Sequence, residues 1–359
     1  MNILYDYNAF IQNYGGVSRY FCEIIKELSP EVHTEISVLF SDNVHLHDLK
    51  KERMKHLLTS LNFKGKRIVE NRINKQFSIY KLNRSKYDIF HHTYFSPYFL
   101  KSLKAPLVIT VHDMILERYA QHFKEYNAER ENKKQLIYKS DRIIAVSEHT
   151  RKDILELYPV NPDKISVIYH GWSAPAPVVK DGEFGRYLLF VGNRSNSYKN
   201  FSLFAEAVTP ILMRDQSLKL ICTGSPFTPD EERFLGRLGI QDQAKAMLVS
   251  DTLLYSLYRD ALVFVYPSLY EGFGIPILEA FSNNCPVCLS AASCFPEIAS
   301  DAALYFDPES KESIAQAVEK VIYDPNLSEM LRKRGSERLK LFSWKRAAAQ
   351  TLEVYKSIL

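Results

Sequence analysis

The sequence predicts an α/β fold made of two Rossmann-like halves, each on a parallel sheet and facing a central cleft. Three observations carry this. Twelve short runs rich in apolar, β-branched and aromatic residues punctuate the 359 residues, as expected of parallel strands buried on both faces. Amphipathic stretches fall between the runs, which argues for βαβ units with right-handed crossovers. The alternation lapses once, over 174–185, where proline, glycine and charge gather without periodicity, the mark of an interdomain linker.

In chain order, the strands of the first half are expected at 2–6, 34–40, 87–92, 106–111, 142–146 and 164–169. The pattern restarts after residue 186, with strands expected at 187–192, 218–223, 246–249, 261–266, 286–290 and 303–306. The first half is placed at 1–172, the linker at 173–186 and the second half at 187–342. The stretch 344–358 reads as a helix with no strand after it, so 343–359 is expected to return across the linker to the first half. His170-Gly171-Trp172 would form the hinge. Open α/β sheets bind ligands at the carboxyl ends of their strands, so the site is expected there.

Composition narrows the class. With 46% apolar and 25% charged residues, disorder, collagen and low-complexity repeats are excluded. No apolar run approaches the ~18 residues needed to span a bilayer, and the first residues lack the basic and apolar regions of a signal peptide. Five cysteines, an odd number, read as reduced thiols in a cytoplasmic protein. The net charge is only +4, yet residues 50–86 hold twelve Lys/Arg against two Glu. Met54, Leu57, Leu58 and Leu61 form one stripe at helical spacing there; Val69, Ile73, Phe77 and Tyr80 form a second. Two readings stand: surface helices, or docking on an anionic membrane from the cytoplasmic face. Nucleic acid is not expected, since no binding motif accompanies the charge.

Several chemistries lack their motifs. There is no G-x-G-x-x-G, P-loop, nucleophile elbow, D-x-D pair or H-E-x-x-H. Cys285 and Cys288 form a lone C-x-x-C near Cys294, without a second pair or a nearby His, so core cysteines are expected rather than zinc. Three segments remain. Gly15-Gly16 follows the first strand and opens a helix, whose N-terminus suits a phosphate. Gly192 ends a buried strand and is followed by Arg194 and Lys199, cations suited to phosphate oxygens. The third segment, Tyr270-Glu271-Gly272-Phe273-Gly274-Ile275-Pro276, follows the strand 261–266. Pro276 suits a first helical turn, leaving Glu271 in the loop and Glu279 one turn into the helix. Two such acids suit sugar hydroxyls or acid–base work.

This last segment resembles the glutamate–seven residues–glutamate signature of the family 4 retaining glycosyltransferases of GT-B fold. Gly15-Gly16, 110–113, 146–150, 192–200 and Phe295-Pro296-Glu297 with Asp301 fall in the same order as in that family. The set is most similar to the mannosyltransferase-like branch of bacterial cell-surface polysaccharide synthesis, which includes O-antigen. One departure is visible: Asn283-Asn284 stands where a small residue and glycine often precede Cys-Pro-Val.

The resemblance implies roles. Arg194 and Lys199 would neutralise the donor diphosphate with the helix at Gly16. Glu279 would hold the nucleotide ribose and Glu271 the donor sugar, with the backbone of Gly272, Phe273, Gly274 and Ile275 holding sugar or phosphate oxygens. His112 would approach the sugar O6. Gly224 would shape the donor pocket, and Val249 and Ser250, ending the strand 246–249, the base pocket. His91, His92, Tyr94, Asp113 and Ser147 would lie on the acceptor side. The donor would be a nucleoside diphosphate sugar, GDP-mannose ahead of UDP-sugars. The acceptor would be a saccharide or lipid-linked saccharide. Transfer would retain the anomeric configuration, with the leaving phosphate taking the acceptor's proton and no metal or cofactor required. The alternatives are an epimerase or phosphorylase of similar fold, or a non-catalytic nucleotide-sugar-binding subunit.

Overall fold

The computed structural model describes residues 1–49, 64–173 and 184–359. Two compact units result: Met1–Gly171 with Ser343–Leu359, and Trp172–Phe342. The body of the expected linker, and the first stripe at Met54, Leu57, Leu58 and Leu61, lie outside the described residues.

The first unit carries a six-stranded parallel sheet of order β2-β1-β3-β4-β5-β6. Its strands are β1 (Asn2–Tyr5), β2 (His33–Ile36), β3 (Ile89–His92), β4 (Leu107–Val111), β5 (Arg142–Ala145) and β6 (Ile165–Val167). Around them lie α1 (Gly16–Glu27), α2 (Val44–Leu49), α3 (Lys66–Arg84), α4 (Ile115–Arg118), α5 (Asn127–Lys139) and α6 (Glu148–Leu157). All five residues of β4 are buried; four are apolar, as a strand covered on both faces demands, and the fifth, Thr110, has a hydrogen-bond partner in His91.

The second unit repeats the plan with order β12-β11-β10-β7-β8-β9. Its strands are β7 (Arg186–Phe190), β8 (Leu218–Thr223), β9 (Ala244–Met247), β10 (Val263–Tyr266), β11 (Val287–Ser290) and β12 (Leu304–Phe306). The helices are α7 (Phe201–Arg214), α8 (Pro229–Leu238), α9 (Asp251–Asp260), α10 (Ile275–Ser282), α11 (Phe295–Ala299), α12 (Lys311–Tyr323) and α13 (Pro325–Leu339). Strand order reverses between β7 and β10, and in the first unit between β1 and β3. Each reversal opens a crevice at the strands' carboxyl ends.

The final helix, α14 (Trp344–Lys356), packs into the first unit's core with Trp344, Ala347, Ala348, Val354 and Tyr355. Hydrogen bonds fasten it too. The Tyr355 hydroxyl meets the Tyr5 hydroxyl at 2.8 Å and His91 Nδ1 at 2.6 Å, and His91 Nε2 meets Thr110 Oγ1 at 3.0 Å.

Strands β2, β6 and β7 end two to four residues short of expectation, and other details differ too. Strand β9 ends at Met247, two residues early, because the apolar Leu248 is exposed rather than buried. Helix α3 does not bury the stripe Val69, Ile73, Phe77 and Tyr80; Val69 and Tyr80 are exposed, and Asn74, Ser78 and Leu82 are buried instead. The docking is polar: Asn74 Oδ1 accepts from the Leu39 and Phe40 amides, and Ser78 bonds the Ser37 and Tyr98 hydroxyls. Asn284 takes a left-handed turn, φ 52°, a conformation asparagine tolerates better than most residues. It is held there by Arg332 on its carbonyl and Ser336 on its side chain. Cys285, Cys288 and Cys294 are buried free thiols, pushed up in pKa first by burial. Among the described residues no cluster of His, Cys, Asp or Glu could hold a metal. No helix there is long and apolar enough to cross a membrane.

Candidate functional site

At the switch point of the second unit, the loops after β7 and β10 meet. The Leu269 amide donates to the Tyr198 carbonyl at 2.7 Å, tying them together. Lys199 closes a short helical turn, and Asn200 after it takes φ 58° to start α7. This aims Lys199 Nζ at Glu271 Oε1, 2.6 Å away, and at the Tyr266 hydroxyl, 3.3 Å away. Both members of the ion pair are largely buried, with side-chain exposures of 14% and 12%. Glu271 is fixed from behind, its amide donating to Ser293 Oγ and its carbonyl accepting from Cys294 Sγ. Burial, and then the neighbouring Glu271, hold the Tyr266 hydroxyl well above its usual pKa.

Gly192 and Gly224 follow β7 and β8 with φ of 144° and 114°, where any side chain would be strained. A Cβ on Gly192 would also meet the Lys199 side chain at 3.7 Å, and one on Gly224 would meet Arg194 Nη1 at 3.6 Å. Each bare backbone therefore lies beside a cation. Lys199, Glu271, Arg194, Gly192 and Gly224, named separately from the sequence, form one cluster.

Arg194 departs from expectation within it. It is not an open phosphate cation, because its guanidinium is already engaged. Nε donates to Glu231 Oε1 at 2.8 Å, and Nη2 to the carbonyls of Ser225 at 2.6 Å and Pro226 at 3.3 Å. The Phe227 ring lies 4.8 Å away. Glu231 also completes a capping box with Thr228 at the start of α8, so one carboxylate serves a helix end and a buried cation. Burial would raise its pKa, but Arg194 and Thr228 outweigh that and lower it. Glu231 escapes sequence reasoning because it lies 37 positions from its partner.

Glu279 sits in α10 behind the Gly274 N-terminus, nearly buried, and accepts from the Tyr258 hydroxyl at 3.2 Å. Gly272 and Phe273 are buried and Ile275 is the first residue of α10. Val249 and Ser250 do not end β9, and the Ser250 hydroxyl caps α9 by accepting from the Leu253 amide.

In the first unit, Gly15 is the N-cap of α1 and Gly16 its first residue. His112 follows β4 and lies against His170, with ring centroids 5.7 Å apart, and edge-on to Tyr20. Burial brings its pKa down to about 4, so the ring is neutral at pH 7. Its Nε2 is buried with no hydrogen-bond partner among the described residues, so it can serve one hydroxyl.

The other expected acceptor residues divide. His91 is fully buried with both nitrogens occupied, and is corrected to a structural role. His92 is corrected likewise. Its Nδ1 lies 3.1 Å from buried Asp6, and its Nε2 accepts from the Ser96 amide. Burial would raise the Asp6 pKa, but His92, Thr93 and Asn8 outweigh it and the net shift is downward. Ser147 is buried as the N-cap of α6, accepting from the Thr150 amide, which removes it from an acceptor contact. Tyr94 is exposed and Asp113 half-buried. Sequence reasoning missed Lys133, which is buried 2.9 Å from Glu117 and donates to the Asp113 carbonyl. It stands in α5, where a polar sequence gives no signal.

Residues 180–338 match the glycosyl transferases group 1 family, and residues 14–173 match glycosyltransferase family 4. The chain belongs to the family 4 glycosyltransferases, with the GT-B fold. Among curated relatives, this family 4 chain is 42% identical over 108 residues to the O-antigen chain mannosyltransferase B of Escherichia coli. That alignment covers 30% of this chain and 28% of the relative. It is 29% identical over 214 residues to the O-antigen chain mannosyltransferase RfbU of Salmonella typhimurium, covering 59% and 60%. The matches thus span between about a quarter and three-fifths of those relatives. Solved structures with the same fold include sucrose-phosphate synthase of Thermosynechococcus elongatus, with TM-score 0.73 at 17% identity over 99% and 98% of the two chains. HepE of Anabaena, solved with UDP and glucose, gives TM-score 0.72 at 16% identity over 99% and 100%.

Proposed function

We propose that the protein transfers a hexose, with mannose favoured, from a nucleoside diphosphate sugar to a saccharide or lipid-linked saccharide acceptor in cell-surface polysaccharide synthesis. The observation that carries this is the Lys199–Glu271 pair beside the bare backbone of Gly192, at the switch point of the second unit. The reaction separates a diphosphate anion from an oxocarbenium-like sugar. A fixed cation favours the first and a carboxylate the second, and placing them in advance lowers the barrier. Lys199 meets the diphosphate, joined by Arg194 as it exchanges Glu231 for phosphate oxygens. Glu271 holds the sugar and Glu279 the ribose. The acceptor hydroxyl bonds to the anomeric carbon on the face from which the phosphate departs, and that phosphate takes its proton, so the anomeric configuration is retained without a protein nucleophile or a metal.

The mannosyltransferase names of the relatives favour GDP-mannose, and UDP-sugars are the competing donors because HepE is solved with UDP. The basic segment 50–86 would attach the protein to an anionic cytoplasmic membrane face. The test is incubation with GDP-mannose and UDP-sugars, mannosyl and lipid-linked acceptors, and anomeric analysis of the product by NMR. A product with retained configuration, lost in Lys199→Met and Glu271→Gln, is expected. Donor binding without turnover on any acceptor would overturn the catalytic reading, and an inverted product the mechanism.

A further inference from the structure

A cavity of about 600 Å³ lies in the first unit, apart from the residues assigned above. This is within the ~300–1,000 Å³ typical of small-ligand sites. Its walls come from three places: Ile11, Gln12 and Asn13 after β1; Phe40, Ser41 and Asp42 after β2; and the first half of α3 with the Gly65 before it. It therefore opens at the carboxyl ends of two adjacent strands, where open α/β sheets take ligands. Gln12 joins it to the loop at Gly15, since Gln12 Oε1 is 3.0 Å from where a Cβ on Gly15 would stand.

The lining selects the ligand class. Two cations, Lys66 and Arg67, face two carboxylates, Asp42 and Glu70, so the walls carry no net charge. Lys66 Nζ lies 3.2 Å from Asp42 and 3.7 Å from Glu70, and the Arg67 fork donates to Asn13 Oδ1 at 3.2 Å. A phosphate or lipid headgroup drawn to Lys66 would meet the Asp42 and Glu70 carboxylates beside it. Glu70 Oε1 is buried, with Lys66 Nζ 3.7 Å away and no hydrogen bond among the described residues, so a hydroxyl can still donate to it. Side-chain amides of Asn13 and Asn71 supply both donors and acceptors. Ile11 and Ile68, 38% and 76% exposed, offer apolar surface for the C–H face of a ring.

We infer that this cavity binds an uncharged saccharide unit of the acceptor, with Glu70, Arg67 and Asn71 on its hydroxyls. The assignment to the acceptor rests on the proposed function, whereas saccharide binding does not. The experiment is saturation-transfer NMR on the full chain with methyl glycosides of mannose, glucose, galactose, rhamnose and N-acetylglucosamine, and with inorganic phosphate. GDP binding is followed in parallel by calorimetry. At least one glycoside is expected to bind, with affinity falling at least tenfold in Glu70→Gln, Arg67→Ala and Asn71→Ala while GDP affinity stays within twofold. The last two variants change exposed residues, so they keep the test independent of folding. No glycoside binding, binding equal in all variants, or phosphate displacing the glycoside would each overturn the inference. If glycosides bind as expected but no transfer occurs with any donor, the proposed function fails and the saccharide site stands.

Discussion

The substitution Glu231→Gln separates the two tasks of one carboxylate. Glutamine serves as well as glutamate at the third position of a capping box, so the start of α8 keeps its bonds to Thr228. What disappears is the charge facing Arg194, whose side chain is only 4% exposed. A hydrogen bond between charged groups contributes about 1.5–3 kcal/mol and a neutral one about 0.5–1.5. The pair should therefore weaken by roughly 1–1.5 kcal/mol. In the unliganded protein this appears as a small loss of stability. When a diphosphate competes for Arg194, the same amount returns as affinity, about tenfold. Calorimetric titration with GDP and UDP, beside thermal melting, reads both. The control is Thr228→Ala, which removes the cap hydroxyl at a cost of ~1 kcal/mol and leaves nucleotide affinity unchanged. Unchanged or weaker nucleotide binding in Glu231→Gln would refute the exchange of partners and leave Arg194 as a strut between the loops after β7 and β8.

Other outcomes follow from the same geometry. Lys199→Met should weaken GDP and UDP binding at least tenfold while guanosine and uridine bind as before; equal losses for nucleoside and nucleotide would move the diphosphate elsewhere. Gly171→Ala should lower the melting temperature sharply. Its Cβ would lie 2.1 Å from the Trp344 backbone nitrogen, which cannot yield as a side chain can; overpacking costs ~1–3 kcal/mol or more. Burial lowers the pKa of His91 to about 3 and of His112 to about 4, and holds that of His170 well below its usual value. The unfolded chain takes up these protons near pH 6.5 while the folded chain does not. Stability should thus be fully present above pH 6.5 and fall as pH drops toward 4, by up to about 4 kcal/mol per pH unit for three protons. Denaturant melts at pH 7, 6 and 5 check this, and a flat profile would refute it.

Much of this architecture is legible in the chain because parallel strands buried on both faces must be almost wholly apolar. Strand β4, with every residue buried, is the plainest case. Legibility fails where apolar residues are not the ones buried. Leu248 extends the run of β9 yet is exposed, and α3 docks through Asn74 and Ser78 rather than through its apolar stripe. In the site, Lys199 and Glu271 were readable because each sits in a glycine-marked loop at a strand end. Glu231 and Lys133 were not, since their partners are brought to them only by folding. His91, His92 and Ser147 mislead for the opposite reason: polar residues at strand ends read as functional, but here they hold the interior together.

The docking of α14 bears on biosynthesis. The core of the first unit includes Trp344, Ala347, Ala348, Val354 and Tyr355, which follow the whole of Trp172–Phe342 in the chain. Domains made on the ribosome tend to fold in the order they emerge. Here the unit begun first cannot finish first: its sheet can gather early, but Tyr5 and His91 wait for Tyr355. The intervening unit is contiguous and can complete itself while the earlier one is still held open.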